Sequence, residues 1–317
     1  MAGNGYCLIA DPESNAWQYA VDIHEKLKER SKRFQLGRID IKRFRDGEIK
    51  PKIGRNVRKK DCFFIHDSSK RPADWFLELA LINHTLKNSS ANEVVDVLPY
   101  IRFMRQDRKD ESRVPLSSRV VADSIGNYAD RVLTIDMHNP STQGCYGIPV
   151  DNLHSFPTVV AYLKRKQPTL LENMVVMSTD AGGAARATAF AKRIGHEDIA
   201  IGVKKRPAAG EVGSVKVIGD VAGRDVFIID DIIDSGNTLV TAANAARAAG
   251  AKKVYVYCTH GLFTEGTEKI TKACDAIFVG DTIKQTQPGV NAISFVPLFA
   301  EAIYRVSSGP SLSALFK

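Results

Sequence analysis

The chain has 317 residues, of which 44% are hydrophobic and 25% charged, and its formal net charge is +8. That length and apolar share suit two domains with substantial cores and exclude a disordered protein. No apolar run approaches the roughly 18 residues of a membrane span, and the start, MAGNGYCLIADPES, lacks the basic-then-apolar pattern of a secretory leader.

The charge excess favours anionic partners: nucleic acid, an acidic membrane surface or phosphorylated metabolites. Cys7, Cys62, Cys145, Cys258 and Cys274 form no CxxC pair. Odd in number and without a leader, they read as reduced thiols of a cytoplasmic protein, not as a zinc site.

Taken in chain order, short apolar runs alternate with amphipathic segments. Strands are expected at 6–10, 62–66, 94–98, 131–138, 174–178, 199–203, 225–230, 253–258 and 276–280. Between them lie helical patterns such as WQYAVDIHEKLKER, WFLELALINHTLK, SRVVADSIGNYA, FPTVVAYLKRK, ARATAFAKRIG and TLVTAANAARAAG. This alternation predicts an α/β fold of mainly parallel sheets flanked by helices. The segment ADRVLTIDMH (129–138) resembles AKKVYVYCTH (251–260), which fits two related halves divided near residue 155.

The richest stretch is DVFIIDDIIDSGNTLVTAANAARAAG, residues 225–250. An apolar strand runs into Asp230 and Asp231, with Asp234 three residues further on. Ser235, Gly236, Asn237 and Thr238 then open an alanine-rich helix. Ligands of open α/β sheets sit at the carboxyl ends of strands. Carboxylates there accept hydrogen bonds from sugar hydroxyls and attract a magnesium-bound ligand. A small-residue turn at a helix start offers backbone N–H groups, hydroxyls and the positive end of the helix dipole to a phosphate. Together they describe a sugar phosphate, most simply ribose 5-phosphate. Helix-capping residues alone would explain a bare Ser-Gly-x-Thr, but not the acids before it.

This stretch resembles the phosphoribosyl-binding loop shared by phosphoribosyltransferases and phosphoribosyl pyrophosphate (PRPP) synthetases. Further segments decide between them: RFRDGE (43–48), RQDR (105–108), RVP (113–115), DMH (136–138), PVDNL (149–153), STDAGG (178–183), KKRP (204–207), IGDV (218–221), THGLF (259–263) and SLSALF (311–316). In this order they resemble the ribose-phosphate pyrophosphokinase (PRPP synthetase) family over nearly the whole chain. The resemblance implies two tandem phosphoribosyltransferase-like domains, 1–155 on the ATP side and 156–303 on the ribose 5-phosphate side, with about 304–317 completing the first. It also implies transfer of the β,γ-diphosphoryl group of ATP to the 1-hydroxyl of ribose 5-phosphate, with Mg²⁺ as cofactor, in a homo-oligomer of dimers or larger.

The site residues follow from the same resemblance. Arg105, Gln106, Asp107 and Arg108 would bind ATP, and two arginines around two hydrogen-bonding side chains suit a triphosphate. Phe44, Asp46 and Glu48 would reach the adenine of a neighbouring subunit's ATP; taken alone, Arg-Asp-Gly-Glu is an ordinary hairpin turn. His138 and Asp180 would hold the magnesium, although a histidine is an unusual magnesium ligand. Lys204 and Arg206 would stabilise the transferring phosphoryl charge, at the start of a Gly- and Ala-rich stretch with the composition of a mobile flap.

Several positions depart from the family pattern. Ala208, Ala209 and Gly210 stand where many members carry a further basic residue and an asparagine. Asn56 replaces a serine of a regulatory segment, and Asn237 replaces the usual Gly or Cys of the ribose loop. Two other readings compete. A non-catalytic associated subunit would have lost the acids, the histidine or the lysine, and all are present. A nucleic-acid-binding protein would need more than the basic runs 25–33 and 50–60, which lack interleaved aromatics and any DNA-binding motif. Neither nucleic acid nor membrane is expected as a partner.

Overall fold

The computed structural model describes residues 5–205 and 214–315. They divide into two units. Unit 1 holds the chain up to His154 and again from Phe295 onward; unit 2 is Ser155–Ser294.

Strands buried on both faces need uninterrupted apolar runs, and these runs form the sheet centres. In unit 1 the strands are β1 (Tyr6–Ala10), β2 (Phe34–Arg43), β3 (Ile49–Ile53), β4 (Asp61–Ile65), β5 (Glu93–Val97), β6 (Arg131–Ile135) and β7 (Val150–Leu153). They form one sheet in the order β3-β2-β1-β4-β5-β6-β7, parallel except for the β2–β3 hairpin. Leu8 of β1 lies in register with Leu36 on one side and Phe63 on the other. Helices α1 (Ala16–Arg30), α2 (Pro72–Asn88) and α3 (Ser117–Gly126) cover it. In α1, Ala16, Ala20, Ile23 and Leu27 recur at helical spacing and are all buried.

Unit 2 repeats the plan. Its strands β8 (Met174–Ser178), β9 (Ile199–Lys205), β10 (Ser214–Ile218), β11 (Asp225–Ile233), β12 (Lys253–Gly261), β13 (Ala276–Gly280) and β14 (Val290–Ile293) lie in the order β10-β9-β8-β11-β12-β13-β14. Only β9–β10 is antiparallel among these pairings. The helices are α4 (Phe156–Lys166), α5 (Ala184–Arg193), α6 (Asn237–Ala248) and α7 (Glu268–Ala273). Leu239, Ala242, Ala243 and Ala246 of α6 pack on Val175, Ile228 and Val256. On the other sheet face, Phe190 of α5 stacks on Phe227 at 5.5 Å between ring centroids.

The chain then returns to unit 1 as α8 (Val296–Ser308). Phe299 of α8 meets Tyr19 of α1 edge-on at 6.0 Å, and Tyr6 Oη donates to the Ser307 carbonyl at 2.6 Å.

Several boundaries differ from the sequence-based expectation: β9 runs on to Lys205 and β12 to Gly261, and two further cases have a clear local cause. The strand expected at 131–138 stops at Ile135, because Asp136 takes a left-handed φ of 43° and Met137 N–H donates to Asn152 Oδ1 at 3.0 Å. The strand expected at 225–230 runs on to Ile233, since β12 continues beside it and pairs Ile232 with His260 and Ile233 with Gly261.

Candidate functional site

In each sheet the chain order reverses once, between β1 and β4 in unit 1 and between β8 and β11 in unit 2. Such switch points leave a crevice outside the carboxyl ends of the strands. In unit 2 this crevice holds the acids. The β8–β11 pairing ends at Ser178 and Ile229, so Asp230 and Asp231 project past the end of β8.

Both acids are held. Arg186, on the first turn of α5, places Nη1 at 3.3 Å from Asp230 Oδ1 and 3.0 Å from Asp231 Oδ1. Thr179 Oγ1 donates to Asp230 Oδ2 at 2.9 Å, and the Asp231 N–H donates to Asp230 Oδ1 at 2.9 Å. Burial first, and then the neighbouring Asp231 charge, push the Asp230 carboxyl up to about 7, against the pull of Arg186 and Thr179. A ligand that donates hydrogen bonds or carries positive charge complements this pair.

The turn after the acids is built by tertiary contacts. Gly236 has a φ of 84° and precedes α6; a Cβ there would lie 2.5 Å from Ile270 Cδ1. Only glycine suits both demands. The α6 ladder begins with Val240 N–H donating to the Gly236 carbonyl at 2.9 Å, so the earlier N–H groups of the first turn have no helical acceptor. Asp234 Oδ1 accepts from Thr264 Oγ1 at 2.7 Å, and Asn237 Oδ1 accepts from Lys269 Nζ at 2.6 Å. Asn237 and Thr238 are exposed, while Ser235 is half-buried. Asp230, Asp231, Asp234, Ser235, Gly236, Asn237 and Thr238 thus share one strand end and one helix start.

Asp180 follows β8 at the same crevice. Its carboxylate accepts from Gly183 N–H at 3.1 Å and caps the short turn Ala181–Gly183 that leads into α5. Gly182 and Gly183 approach closely: a Cβ on Gly182 would sit 3.2 Å from Asp180 Oδ1.

In unit 1, Phe44, Asp46 and Glu48 form the tip of the β2–β3 hairpin. Phe44 N–H donates to the Glu48 carbonyl at 2.8 Å, and Asp46 Oδ1 accepts from Glu48 N–H at 3.1 Å. Gly47 has a φ of 93°, and the Phe44 ring is 39% exposed beneath the Lys42 ammonium at 5.1 Å. Arg105, Gln106 and Arg108 are exposed on the loop after β5. Asp107 Oδ2 accepts from Asn139 Nδ2 at 2.6 Å, which ties this loop to the segment of half-buried His138 after β6. His138 belongs to unit 1 and Asp180 to unit 2.

Lys204 lies on β9, but its side chain and all of Arg206, Ala208, Ala209 and Gly210 fall outside the described residues. Among the described residues, no group of three or more His, Cys, Asp or Glu is placed to hold a metal alone. Magnesium bound through substrate phosphates needs only one or two carboxylates, and Asp180 with the Asp230–Asp231 pair supplies hard oxygen donors of that kind. An imidazole suits it less.

Sequence reasoning missed Arg186, Thr179, Thr264 and Lys269. Arg186 sits in an alanine-rich helix with no acid at helical spacing, so only the crossing of α5 beside β11 reveals its role. Thr179 was visible inside STDAGG but without a partner.

Comparison with known proteins identifies the family and the fold. A family model for the N-terminal domain of ribose phosphate pyrophosphokinase matches residues 14–128, and one for a phosphoribosyl synthetase-associated domain matches residues 205–317. The ribose-phosphate pyrophosphokinase of Vibrio cholerae is 40% identical over 290 residues, covering 89% of this chain and 91% of its own. That of Pasteurella multocida is 40% identical over 291 residues with the same coverage. The crystal structure of phosphoribosylpyrophosphate synthetase from Mycobacterium smegmatis superposes with a TM-score of 0.86 at 28% identity, covering 97% of this chain and all of that one.

Proposed function

The chain belongs to the ribose-phosphate pyrophosphokinase family, and from that premise we propose that it transfers the β,γ-diphosphoryl group of ATP to the 1-hydroxyl of ribose 5-phosphate, giving PRPP and AMP. The observation that carries this reading is the acid pair of half-buried Asp230 and buried Asp231, clamped by Arg186 and Thr179, shortly before the left-handed Gly236 that precedes α6.

Asp230 and Asp231 accept hydrogen bonds from the ribose hydroxyls. Ser235, Gly236, Asn237 and Thr238, with Asp234 bracing the turn, receive the 5-phosphate. Arg105, Gln106, Asp107 and Arg108 bind the ATP phosphates. Such a transfer needs mainly positioning and neutralisation of charge. Lys204 and Arg206 meet the charge that develops on the moving phosphoryl group. Asp180 and His138 are the residues we assign to magnesium, which when bound neutralises charge on the ATP phosphates.

The chain also self-associates on this reading: Phe44, Asp46 and Glu48 at the exposed hairpin tip serve the adenine of a neighbouring copy. It acts in the cytoplasm, where both substrates occur. The loss of acids that would favour a non-catalytic subunit has not occurred.

The deciding assay is formation of AMP and PRPP from ATP, ribose 5-phosphate and Mg²⁺, with and without inorganic phosphate. Activity in both conditions marks an unregulated enzyme, and activity only with phosphate a regulated one. No product in either, with ribose 5-phosphate still bound, would overturn the catalytic reading. Asp231→Ala is expected to weaken ribose 5-phosphate binding about 10- to 100-fold, the scale of a lost hydrogen bond to a charged group, with ATP affinity nearly unchanged.

A further inference from the structure

The segment after β12 is laced to the turn before α6 at both ends. Thr264 N–H donates to the Asp234 carbonyl at 3.2 Å, and its hydroxyl donates to the Asp234 carboxylate. Five residues later in the sequence, the Lys269 ammonium reaches Asn237 Oδ1 at 2.6 Å. Asn237 is the first residue of α6 and the one departure from the family pattern in this turn. Its side-chain carbonyl therefore tethers a cation at the helix start. The same ammonium also lies 2.5 Å from Glu265 Oε2, and the lysine side chain is 31% exposed. The neighbouring Ile270 side chain packs against Gly236, so the helix carrying Lys269 cannot drift from the turn without opening that contact.

We propose that Lys269 is a specificity-determining residue for the phosphate of the sugar substrate, held over the turn by Asn237 and restrained by Glu265. The inference rests on the ribose 5-phosphate reading of residues 235–238. A dianionic phosphate seated on the first N–H groups of α6 meets partial charge from the helix dipole. A full positive charge one side chain away adds an attraction that ribose without phosphate does not feel. Glu265 competes for the same ammonium, so its carboxylate opposes the phosphate. A lysine that only braced α7 through its i,i+4 partner would make no such distinction.

The opposite signs of two variants test this. Dissociation constants for ribose 5-phosphate would be measured by titration calorimetry on the full chain at low and moderate salt. Lys269→Met is expected to weaken binding about fivefold and to flatten its salt dependence, the scale of one partly exposed charged contact. Glu265→Gln is expected to tighten binding about twofold, again from a single exposed charge, and Lys269→Arg to stay near wild type.

Wild-type affinity in both Lys269→Met and Glu265→Gln would overturn the proposal, as would equal weakening in both, the mark of a brace. If Lys269→Met fails to fold, Glu265→Gln and Lys269→Arg decide. Thr238→Ala separates the two levels of argument. If Thr238→Ala weakens binding while the Lys269 and Glu265 variants do nothing, only the role of Lys269 falls. If Thr238→Ala and Asp231→Ala also leave the affinity untouched, the site itself has been misread.

Discussion

At the scale of single residues, Asp96 is poorly placed to be an ion. It lies in the middle of β5 with no exposure, and Asn83 Nδ2 donates to its Oδ2 at 2.7 Å. Asp96 Oδ1 and Asn83 Oδ1 are both buried acceptors with no partner. A carboxylate would leave two acceptors without a donor, whereas one proton on Asp96 supplies the missing donor. Burial pushes this carboxyl up to about 8, against the Asn83 bond that holds it down and with a smaller push from the charge of Asp130. Its unfolded value is near 4, so the folded state keeps a proton that the unfolded state releases across the window from about 4 to about 8. The contribution of Asp96 to stability is therefore greatest at the acid end and falls by up to about 1.4 kcal/mol per pH unit through that window. Asp96→Asn, whose amide carries its own donor, should flatten the decline. Melting temperatures of wild type and Asp96→Asn between pH 5 and 8.5 check this, and parallel curves would refute it. At the same scale, Lys204→Ala is expected to lower turnover about a hundredfold or more with little change in substrate affinity, the signature of a contact made in the transition state. Unchanged kcat would remove Lys204 from the mechanism. The acids and the small-residue turn were legible in the sequence because they are contiguous. Arg186, Thr264 and Lys269 were not, because each reaches the site from another element.

At the scale of elements, the join between β11 and α6 carries the most constraint. Gly236→Ala brings a Cβ against Ile270 and forces an alanine into the left-handed region. A cost of about 1–3 kcal/mol is expected, together with weaker ribose 5-phosphate binding as the turn shifts. Chemical denaturation and calorimetry on the same variant test the two effects separately. Wild-type stability would mean that Ile270 yields freely. The central strands could be read from composition, since burial on both faces demands unbroken apolar runs. Strands β7, β10 and β14 could not: VDNL, SVKVI and VNAI are short or half-polar, and all three lie at sheet edges where one side needs no apolar match. Helix α7, of six residues, is likewise too short for periodicity to declare itself.

At the scale of the molecule, two sheets of identical strand order differ at their switch points. In unit 2 the crevice holds Asp230 and Asp231. In unit 1, Asp11, which follows β1, pairs with Lys70, whose ammonium joins it at 3.0 Å and Glu78 at 2.6 Å. Both sets of acids meet an internal cation, a lysine from the loop after β4 in unit 1 and Arg186 of α5 in unit 2. The alternation of runs and the faint repeat announced two similar halves, but strand order came only from the pairing. Unit 1 is moreover discontinuous: α8 buries Phe299 and Ile303 in a part of the fold that begins at Tyr6. A chain ending at Ser294 should therefore keep a protease-resistant unit 2 and lose cooperative folding of unit 1. Limited proteolysis with mass mapping would show it, and equal resistance of both units would contradict it.

That discontinuity also sets a timetable for synthesis. The N-terminal sheet emerges from the ribosome first, yet the helix that covers α1 is made after every strand of both sheets. Unit 2, translated second, has all its sequence in hand first. Unit 1 must wait, one flank open, until every strand of unit 2 has been made. A premature stop between residues 295 and 308 would thus damage the unit whose first strand starts at Tyr6, about 290 residues earlier in the chain.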